Sequence, residues 1–262
     1  MSTAAVYLSY DQKALDKAYD NRGRFPDTED CKAAQSQGSD QCKLEYECKL
    51  DVRYGDGETD LLDIYLGEGT EPRPIHVFFH GGYWKSNTKD DFGFVARPLV
   101  PHGITTVVME YPLIPTVRME GLIDRCCASL EWVWNNAESF GGDRDNITIS
   151  GHSAGGHITA MMMQIDFPSY GNGLPKDLVK GGCSISGVCD LEPIRLSFQN
   201  KELQFSPEEA REFSTLFMDP IHKGPLLAVC GSMEGDEFVR QTTDLTDAWS
   251  AKGMEVECWV ME

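Results

Sequence analysis

One serine in this sequence stands in a setting that can make it a nucleophile. Ser153 is the centre of the pentapeptide 151–155, GHSAG, which has the pattern G-x-S-x-G. A β-branched run, 146–150, precedes it and a helix-like run, 157–163, follows it. A strand, a sharp turn and a helix in this order are typical of a nucleophile elbow. The turn is strained, and side chains at the flanking glycines would collide with the neighbouring strand and helix. The pattern therefore predicts that Ser153 attacks a carbonyl carbon.

A second glycine-rich stretch could stabilise the charge that such an attack creates. The apolar run 74–79 leads into the loop 80–84, HGGYW. An oxyanion needs preorganised N–H donors, supplied by a loop after the third strand and by the residue after the nucleophile. We expect these donors from Gly82, Tyr83 and Ala154, with Gly81 as a further candidate. Alone, the HGG triplet would also fit an ordinary turn, but the two motifs in this order favour a serine hydrolase.

The acid of a catalytic triad should follow the strand-like run 226–230. The loop after that run contains Glu234 and, after a glycine, Asp236 and Glu237. Acidic residues in the first turn of a helix complement its dipole without any catalytic role. Since Asp236 and Glu237 fit such a turn, we expect Glu234 to be the acid and keep Asp236 as the less favoured alternative.

The general base should lie after the eighth strand, but no histidine follows His222. His222 could reach Ser153 only if the segment before it folded over the site. His80 is expected to brace the oxyanion loop, and His152 and His157 to orient the elbow. We therefore expect the base beyond Glu262, in a C-terminal loop and helix that this sequence lacks.

Strand-like and helix-like segments alternate along most of the chain. Segments 49–54 and 60–65 flank a Gly-Asp-Gly turn and predict an antiparallel hairpin. Strands are then predicted at 75–79, 105–109, 147–150, 182–186, 226–230 and 255–260, and helices at 91–99, 119–139, 155–165 and 236–252. Apolar strands that alternate with helices indicate a parallel sheet covered on both faces. We predict a single α/β domain over 1–262 with a doubly wound, mostly parallel sheet, an arrangement typical of the α/β-hydrolase fold.

The alternation breaks at about 189–222, where 202–217 forms a charged helical stretch. Ligands of open α/β sheets bind beyond the carboxyl ends of the strands, where such an insertion would lie. We interpret the insertion as a small lid, with a surface excursion that has no role in binding as the alternative. Residues 8–36 are also predicted to be helical and polar.

Composition excludes several classes of protein. The 262 residues are 41% apolar, and no apolar run reaches the length of a membrane span. The net charge of −19 argues against nucleic acid and anionic membranes as partners. The N-terminus does not resemble a signal peptide, and the nine cysteines, including Cys31, Cys42 and Cys48, lack disulfide or zinc-site spacing. We expect a cytoplasmic protein with reduced thiols, no metal and no cofactor, and we leave a homodimer open.

The loop 80–84 together with 151–157, GHSAGGH, resembles the kynurenine formamidase (arylformamidase) branch of the α/β hydrolases, which is close to the hormone-sensitive-lipase-like esterases. The resemblance runs from about residue 15 to the end. Further matching segments are 18–22 (AYDNR), 54–55 (YG), 62–65 (LDIY), 111–113 (YPL) and 237–241 (EFVRQ).

The resemblance implies Ser153 as the nucleophile and the amides of Gly82, Tyr83 and Ala154 as the oxyanion hole. Glu234 falls where the family has its acid, usually Asp. The implied reaction is acyl transfer from an aryl formamide, such as N-formyl-L-kynurenine, or from an ester. Tyr83 and Trp84 could stack on the aryl amine, or pack in the core beneath the loop. Two alternatives stay open: a carboxylesterase acting on short acyl esters, and a non-catalytic binding protein on a hydrolase fold.

Overall fold

The computed structural model describes residues 4–25, 27–171, 173–222 and 224–262. Within these residues, strands form one sheet in the order β1-β2-β4-β3-β5-β6-β7-β8. The strands are β1 (Cys48–Arg53), β2 (Leu61–Tyr65), β3 (Arg73–Phe79), β4 (Thr105–Met109), β5 (Gly142–His152), β6 (Val179–Ile185), β7 (Leu226–Gly231) and β8 (Val256–Met261). The β1–β2 and β2–β4 pairs are antiparallel, and every pair from β4 to β8 is parallel. The predicted hairpin and parallel sheet are both confirmed.

The helices cover both faces of this sheet. The α-helices are α1 (Gln12–Ala18), α2 (Asn21–Arg24), α3 (Thr28–Glu45), α4 (Met119–Asn136), α5 (Ala154–Met162), α6 (Phe167–Tyr170), α7 (Glu192–Leu196), α8 (Asn200–Leu203), α9 (Pro207–Glu212) and α10 (Asp236–Ala251). Short 3₁₀ helices occupy Lys89–Ala96, Val100–His102, Ala137–Phe140, Thr215–Phe217 and Ser232–Glu234.

Alternate side chains of the central strands enter two separate apolar clusters. Val77 and Val107 belong to the larger cluster, which includes the buried faces of α4, α5 and α10. Phe78 and Val108 belong to a smaller one, built with α3 and the 3₁₀ helix at 89–96. Because strands buried on both faces need apolar residues on both sides, this division explains why β3 and β4 end in the apolar runs 77–79 and 107–109.

Two predicted helical segments are divided differently in the structure. The stretch 202–217 is not one helix: Gln204 adopts φ 55° and ends α8, and Ser206 and Pro207 start α9. The Ser206 hydroxyl accepts a hydrogen bond from the Glu209 amide, and a proline at the first helical position favours a new start. In the N-terminal segment, α1 ends at Ala18 and α3 extends to Glu45, beyond the predicted limit of 36.

No helix in the described ranges is long and apolar enough to cross a membrane. The nine cysteines are unpaired. Among the same residues, no group of three or more His, Cys, Asp or Glu side chains could hold a metal ion.

Candidate active site

The predicted nucleophile lies on a strained turn between the central strand and the central helix. Ser153 follows β5 and directly precedes α5, with φ 56° and ψ −112°. Its amide donates a hydrogen bond to the Ile185 carbonyl, 2.7 Å away, which attaches the turn to β6. Such a conformation costs on the order of 1–3 kcal/mol and persists where the surroundings impose it.

The flanking glycines are required because backbone surrounds them. A Cβ on Gly151 would lie 2.2 Å from the Gly155 carbonyl oxygen. A Cβ on Gly155 would lie 1.9 Å from the carbonyl oxygen of Phe79, at the end of β3. The structure thus places the elbow in close contact with the strand that leads into the oxyanion loop.

The glycine-rich loop lies directly beside the serine. A Cβ on Gly81 would lie 3.4 Å from the Ser153 Cβ and 2.8 Å from the His152 carbonyl oxygen. The Gly82 carbonyl accepts hydrogen bonds from the amides of Lys85 and Ser86, both at 3.1 Å. Within the described part of the chain, the Gly82 and Tyr83 amides have no hydrogen-bond partner, so they are available as donors.

His80 anchors the start of this loop. Its Nδ1 lies 2.9 Å from the Gly81 carbonyl oxygen, and its Nε2 lies 3.1 Å from a carboxylate oxygen of Glu110. Its ring stacks on Tyr111 at 4.1 Å, and the Tyr111 hydroxyl donates to the His80 carbonyl at 2.7 Å. These contacts place His80 in the bracing role expected from the sequence.

Trp84 and Tyr83 have different surroundings. Trp84 is 0% exposed and packs against Phe205 and His157, so its burial favours core packing over stacking on a substrate. Tyr83 is partly exposed and lines the cavity beside Ser153. Only Tyr83 of this pair therefore remains a candidate for contact with a substrate.

His157 joins the loop to the insertion. Its Nδ1 accepts a hydrogen bond from Trp84 Nε1 at 3.3 Å, and its Nε2 donates to the Phe213 carbonyl at 2.8 Å. Burial lowers the pKa of His157 to about 4. The ring is thus neutral near pH 7, with both nitrogens occupied by structural hydrogen bonds.

Glu234 stands where the acid is expected, in the short 3₁₀ turn after β7. Its Oε1 accepts hydrogen bonds from the Gly231 amide at 2.6 Å and from the Ser186 hydroxyl at 2.7 Å. Asp236 is the exposed first residue of α10, in the dipole-complementing position that the sequence suggested. Glu234 is therefore the better placed of the two. Sequence reasoning missed Ser186, which has no motif of its own.

None of the six histidines, all of which lie in the described ranges, hydrogen-bonds Ser153. His222 Nε2 lies 2.8 Å from the Ile165 carbonyl oxygen, beyond the far end of α5, which rules out its reaching Ser153 from this position. His152 borders the Ser153 cavity and keeps an exposed edge. The surrounding protein lowers the pKa of His152, and the Glu234 carboxylate opposes this shift.

A cavity of about 290 Å³ opens beside Ser153 and is called the Ser153 cavity below. Gly81, Gly82, Tyr83 and Ser153 line it. The other lining residues come mainly from the N-terminal segment and from the turn after the loop 80–84, and we call them the wall of the cavity. These lining residues are Asn21, Arg22, Thr28, Cys31, Lys32, Gln35, Ser86, Asn87, Asp91 and Phe92. Sequence reasoning missed this wall; the only signal was the match at 18–22.

The insertion at 189–222 does not line the Ser153 cavity. Its residues Phe198, Gln199 and Glu202 line a neighbouring cavity of about 250 Å³. The two cavities share Asn21, Arg22, Tyr83 and Ser86. The N-terminal segment therefore lines the Ser153 cavity, and the predicted lid lines the neighbouring cavity.

Comparisons with known proteins identify the family of the chain. The pattern that defines the BD-FAE family matches residues 62–202, more than half of the chain. The kynurenine formamidase of Danio rerio is 29% identical over 230 residues, which cover 86% of this chain and 76% of that protein. The esterase LipC of Mycobacterium tuberculosis is 32% identical over 129 residues, which cover 48% of this chain and 32% of that protein.

Solved structures share the fold. A crystal structure from Silicibacter superposes with a TM-score of 0.82 at 24% identity and covers 95% of this chain and 90% of its own. An esterase of Pyrobaculum calidifontis superposes with a TM-score of 0.71 at 17% identity, covering 94% and 86% of the two chains. The chain belongs to the BD-FAE family and is an α/β hydrolase related to the kynurenine formamidases.

Proposed function

We propose that this chain is a serine hydrolase that cleaves an aryl formamide, such as N-formyl-L-kynurenine, through an acyl-enzyme. The observation that carries the proposal is the closeness of Gly81 to Ser153. A Cβ added to Gly81 would lie 3.4 Å from the Ser153 Cβ. It sets unpartnered loop amides beside a nucleophile on a strained turn, the arrangement that acyl transfer requires.

In the proposed reaction, Ser153 Oγ attacks the formyl carbon and transfers its proton to a general base, a role that no histidine of the described residues fills by a hydrogen bond to Ser153. The amides of Gly82, Tyr83 and Ala154 stabilise the oxyanion of the tetrahedral intermediate. Collapse of that intermediate breaks the C–N bond, and the aryl amine leaves with the proton. Water then attacks the formyl-enzyme and releases formate. Glu234 would orient that base and stabilise its protonated form.

The charges around the Ser153 cavity favour a substrate with a carboxylate. The chain carries a net charge of −19, yet the Ser153 cavity is lined by two cationic side chains, Arg22 and Lys32, and by one carboxylate, Asp91. N-formyl-L-kynurenine has an α-carboxylate on its leaving group, and a simple acyl ester has none. The similarity to kynurenine formamidases over most of the chain points the same way.

Two other functions have specific support. Similarity to the esterase LipC and to the carboxylesterase NlhH favours hydrolysis of short acyl esters as the second candidate. Within the described residues, no histidine hydrogen-bonds Ser153 or Glu234, which favours a binding protein without catalysis.

The test is kcat/KM for N-formyl-L-kynurenine and for p-nitrophenyl acetate, measured side by side. We expect a strong preference for the formamide. Arg22→Gln should lower kcat/KM for the formamide about tenfold through KM and leave the neutral ester unchanged. Preference for the ester would make the protein a carboxylesterase, and no turnover of either would support the binding protein.

A further inference from the structure

Tyr19 connects three parts of the candidate site, although it lines neither cavity described above. It is fully buried and directly follows α1, with Asp20 between it and α2. The Asp20 side chain accepts a hydrogen bond from the Gly23 amide at 2.9 Å and so begins α2. Tyr19 thus lies two residues before Asn21, the first residue that lines the Ser153 cavity.

The backbone of Tyr19 holds the oxyanion loop. Its carbonyl oxygen accepts a hydrogen bond from the Tyr83 hydroxyl at 3.0 Å and another from Gln199 Nε2 at 3.2 Å. Tyr83 has φ 49° and Trp84 has φ 56°, a conformation that costs non-glycine residues free energy and must be imposed by contacts. Trp84 is fixed by His157, so the bond to Tyr19 is the corresponding side-chain anchor of Tyr83.

The side chain of Tyr19 holds the helix that follows the acid. Its hydroxyl donates to Glu237 Oε2 at 2.7 Å and accepts from Gln241 Nε2 at 2.9 Å. Glu237 is itself buried and paired with Arg240 through two bonds of 3.0 and 2.9 Å. Burial and the Glu237 carboxylate raise the pKa of Tyr19 well above its usual value, so the hydroxyl stays a donor at all working pH values.

We propose that Tyr19 is a positioning residue that connects Tyr83 to α10, the helix that starts two residues after Glu234. This connection fixes the position of the Tyr83 amide in the proposed oxyanion hole. The proposal rests on the proposed function of the loop amides. It also gives a role to the segments 18–22 and 237–241, whose sequences stood out but carried no assigned chemistry.

The first test is Tyr19→Phe, which removes one hydroxyl and keeps the ring. We expect kcat to fall about tenfold with KM within about twofold, because a displaced oxyanion donor weakens the transition state more than the ground state. The matched control is Tyr7→Phe, since the Tyr7 hydroxyl bonds Asp190 at 2.5 Å and Arg240 at 3.2 Å in the same region. That control should keep wild-type kcat.

A double-mutant cycle separates positioning from general destabilisation. Tyr83→Phe removes the other end of the connection, so Tyr19→Phe/Tyr83→Phe should lose little more kcat than the more damaging single variant. If the two losses instead multiply, or if Tyr19→Phe only lowers the melting temperature, the connection does not position the loop.

Hydrogen exchange gives a readout that does not depend on turnover. In Tyr19→Phe, the amides of 80–88 should exchange faster, while those of β3 and β4 keep their wild-type rates. Unchanged exchange in 80–88 would overturn the proposal even for a protein that hydrolyses neither substrate. If only the proposed function is wrong, the wild-type protein will hydrolyse neither substrate, but the amides of 80–88 will still exchange faster in Tyr19→Phe than in the wild type.

Discussion

On the side of the site that holds Ser153, the proposed nucleophile, backbone contacts fix almost every group, whereas on the side that holds Glu234, the proposed acid, a side-chain hydroxyl and one backbone amide do so. Ser153 is enclosed by Gly151, Gly155 and the end of β3, where no added Cβ fits. Glu234 is held by the Ser186 hydroxyl and one amide, and a Cβ on Gly231 would meet only the Glu234 side chain, at 3.1 Å. The difference indicates that the nucleophile side is preorganised by the fold itself, while the acid side can adjust.

The largest effect should come from the nucleophile. Ser153→Ala should lower kcat by about 10⁵-fold or more, because the acyl-enzyme can no longer form. The matched control is Ser150→Ala, which removes a β5 hydroxyl that contacts His76 at 2.6 Å. Steady-state kinetics of both variants check this expectation. A near-normal rate for Ser153→Ala would contradict the nucleophile assignment.

On the acid side, Glu234→Gln should lower kcat about 10³–10⁴-fold, since a neutral amide cannot stabilise an imidazolium. Asp236→Asn should change kcat less than about threefold, because Asp236 is exposed at the start of α10. The pH dependence of kcat for the two variants is the measurement. If Asp236→Asn is the more damaging change, the acid has been assigned to the wrong residue.

A pair of glycine substitutions compares the rigidity of the two sides. Gly155→Ala should lower the free energy of unfolding by about 4 kcal/mol or prevent folding, because its Cβ would collide with the Phe79 carbonyl. Gly231→Ala should cost about 1 kcal/mol, because the Glu234 side chain can move aside. Urea unfolding measures both. Equal losses would show that the acid side is as rigid as the nucleophile side.

The smallest effect concerns pH and stability. The pKa of His157 is about 4 in the folded protein, which is below its value in the unfolded chain. The contribution of His157 to the free energy of unfolding is therefore complete above pH 6.5 and is lost as the pH falls towards 4. Between pH 7.5 and pH 5, the wild type should lose about 2 kcal/mol more unfolding free energy than His157→Gln. Urea titrations at the two pH values test this. The same slope in both proteins would mean that His157 is not buried as a neutral ring.

The same contrast explains what could be predicted from the sequence. The elbow at 151–155 and the loop at 80–84 are each one continuous stretch of sequence. Local turn chemistry and the order of the strands were therefore enough to predict that Ser153 lies beside the glycine-rich loop. The hairpin and parallel sheet followed from apolar patterning. The broken helix at 202–217 was missed because Gln204 adopts a left-handed conformation that its residue type does not signal.

The rest of the site depends on contacts between distant segments. Ser186 meets Glu234 across 48 positions, and Tyr19 meets Glu237 across 218. Neither pair has a spacing that periodicity or motif reasoning can detect. The wall of the Ser153 cavity was missed for the same reason, because α2 and α3 reach Ser153 only through tertiary packing.

The most direct test of the account is covalent labelling of the protein with paraoxon, which phosphorylates activated serines, followed by peptide mass spectrometry. We expect one adduct on Ser153 that is absent from Ser153→Ala and formed more slowly in Tyr19→Phe. An adduct on another residue, or none at all under conditions that label a known serine esterase, would contradict the claim that the fold preorganises Ser153 for attack.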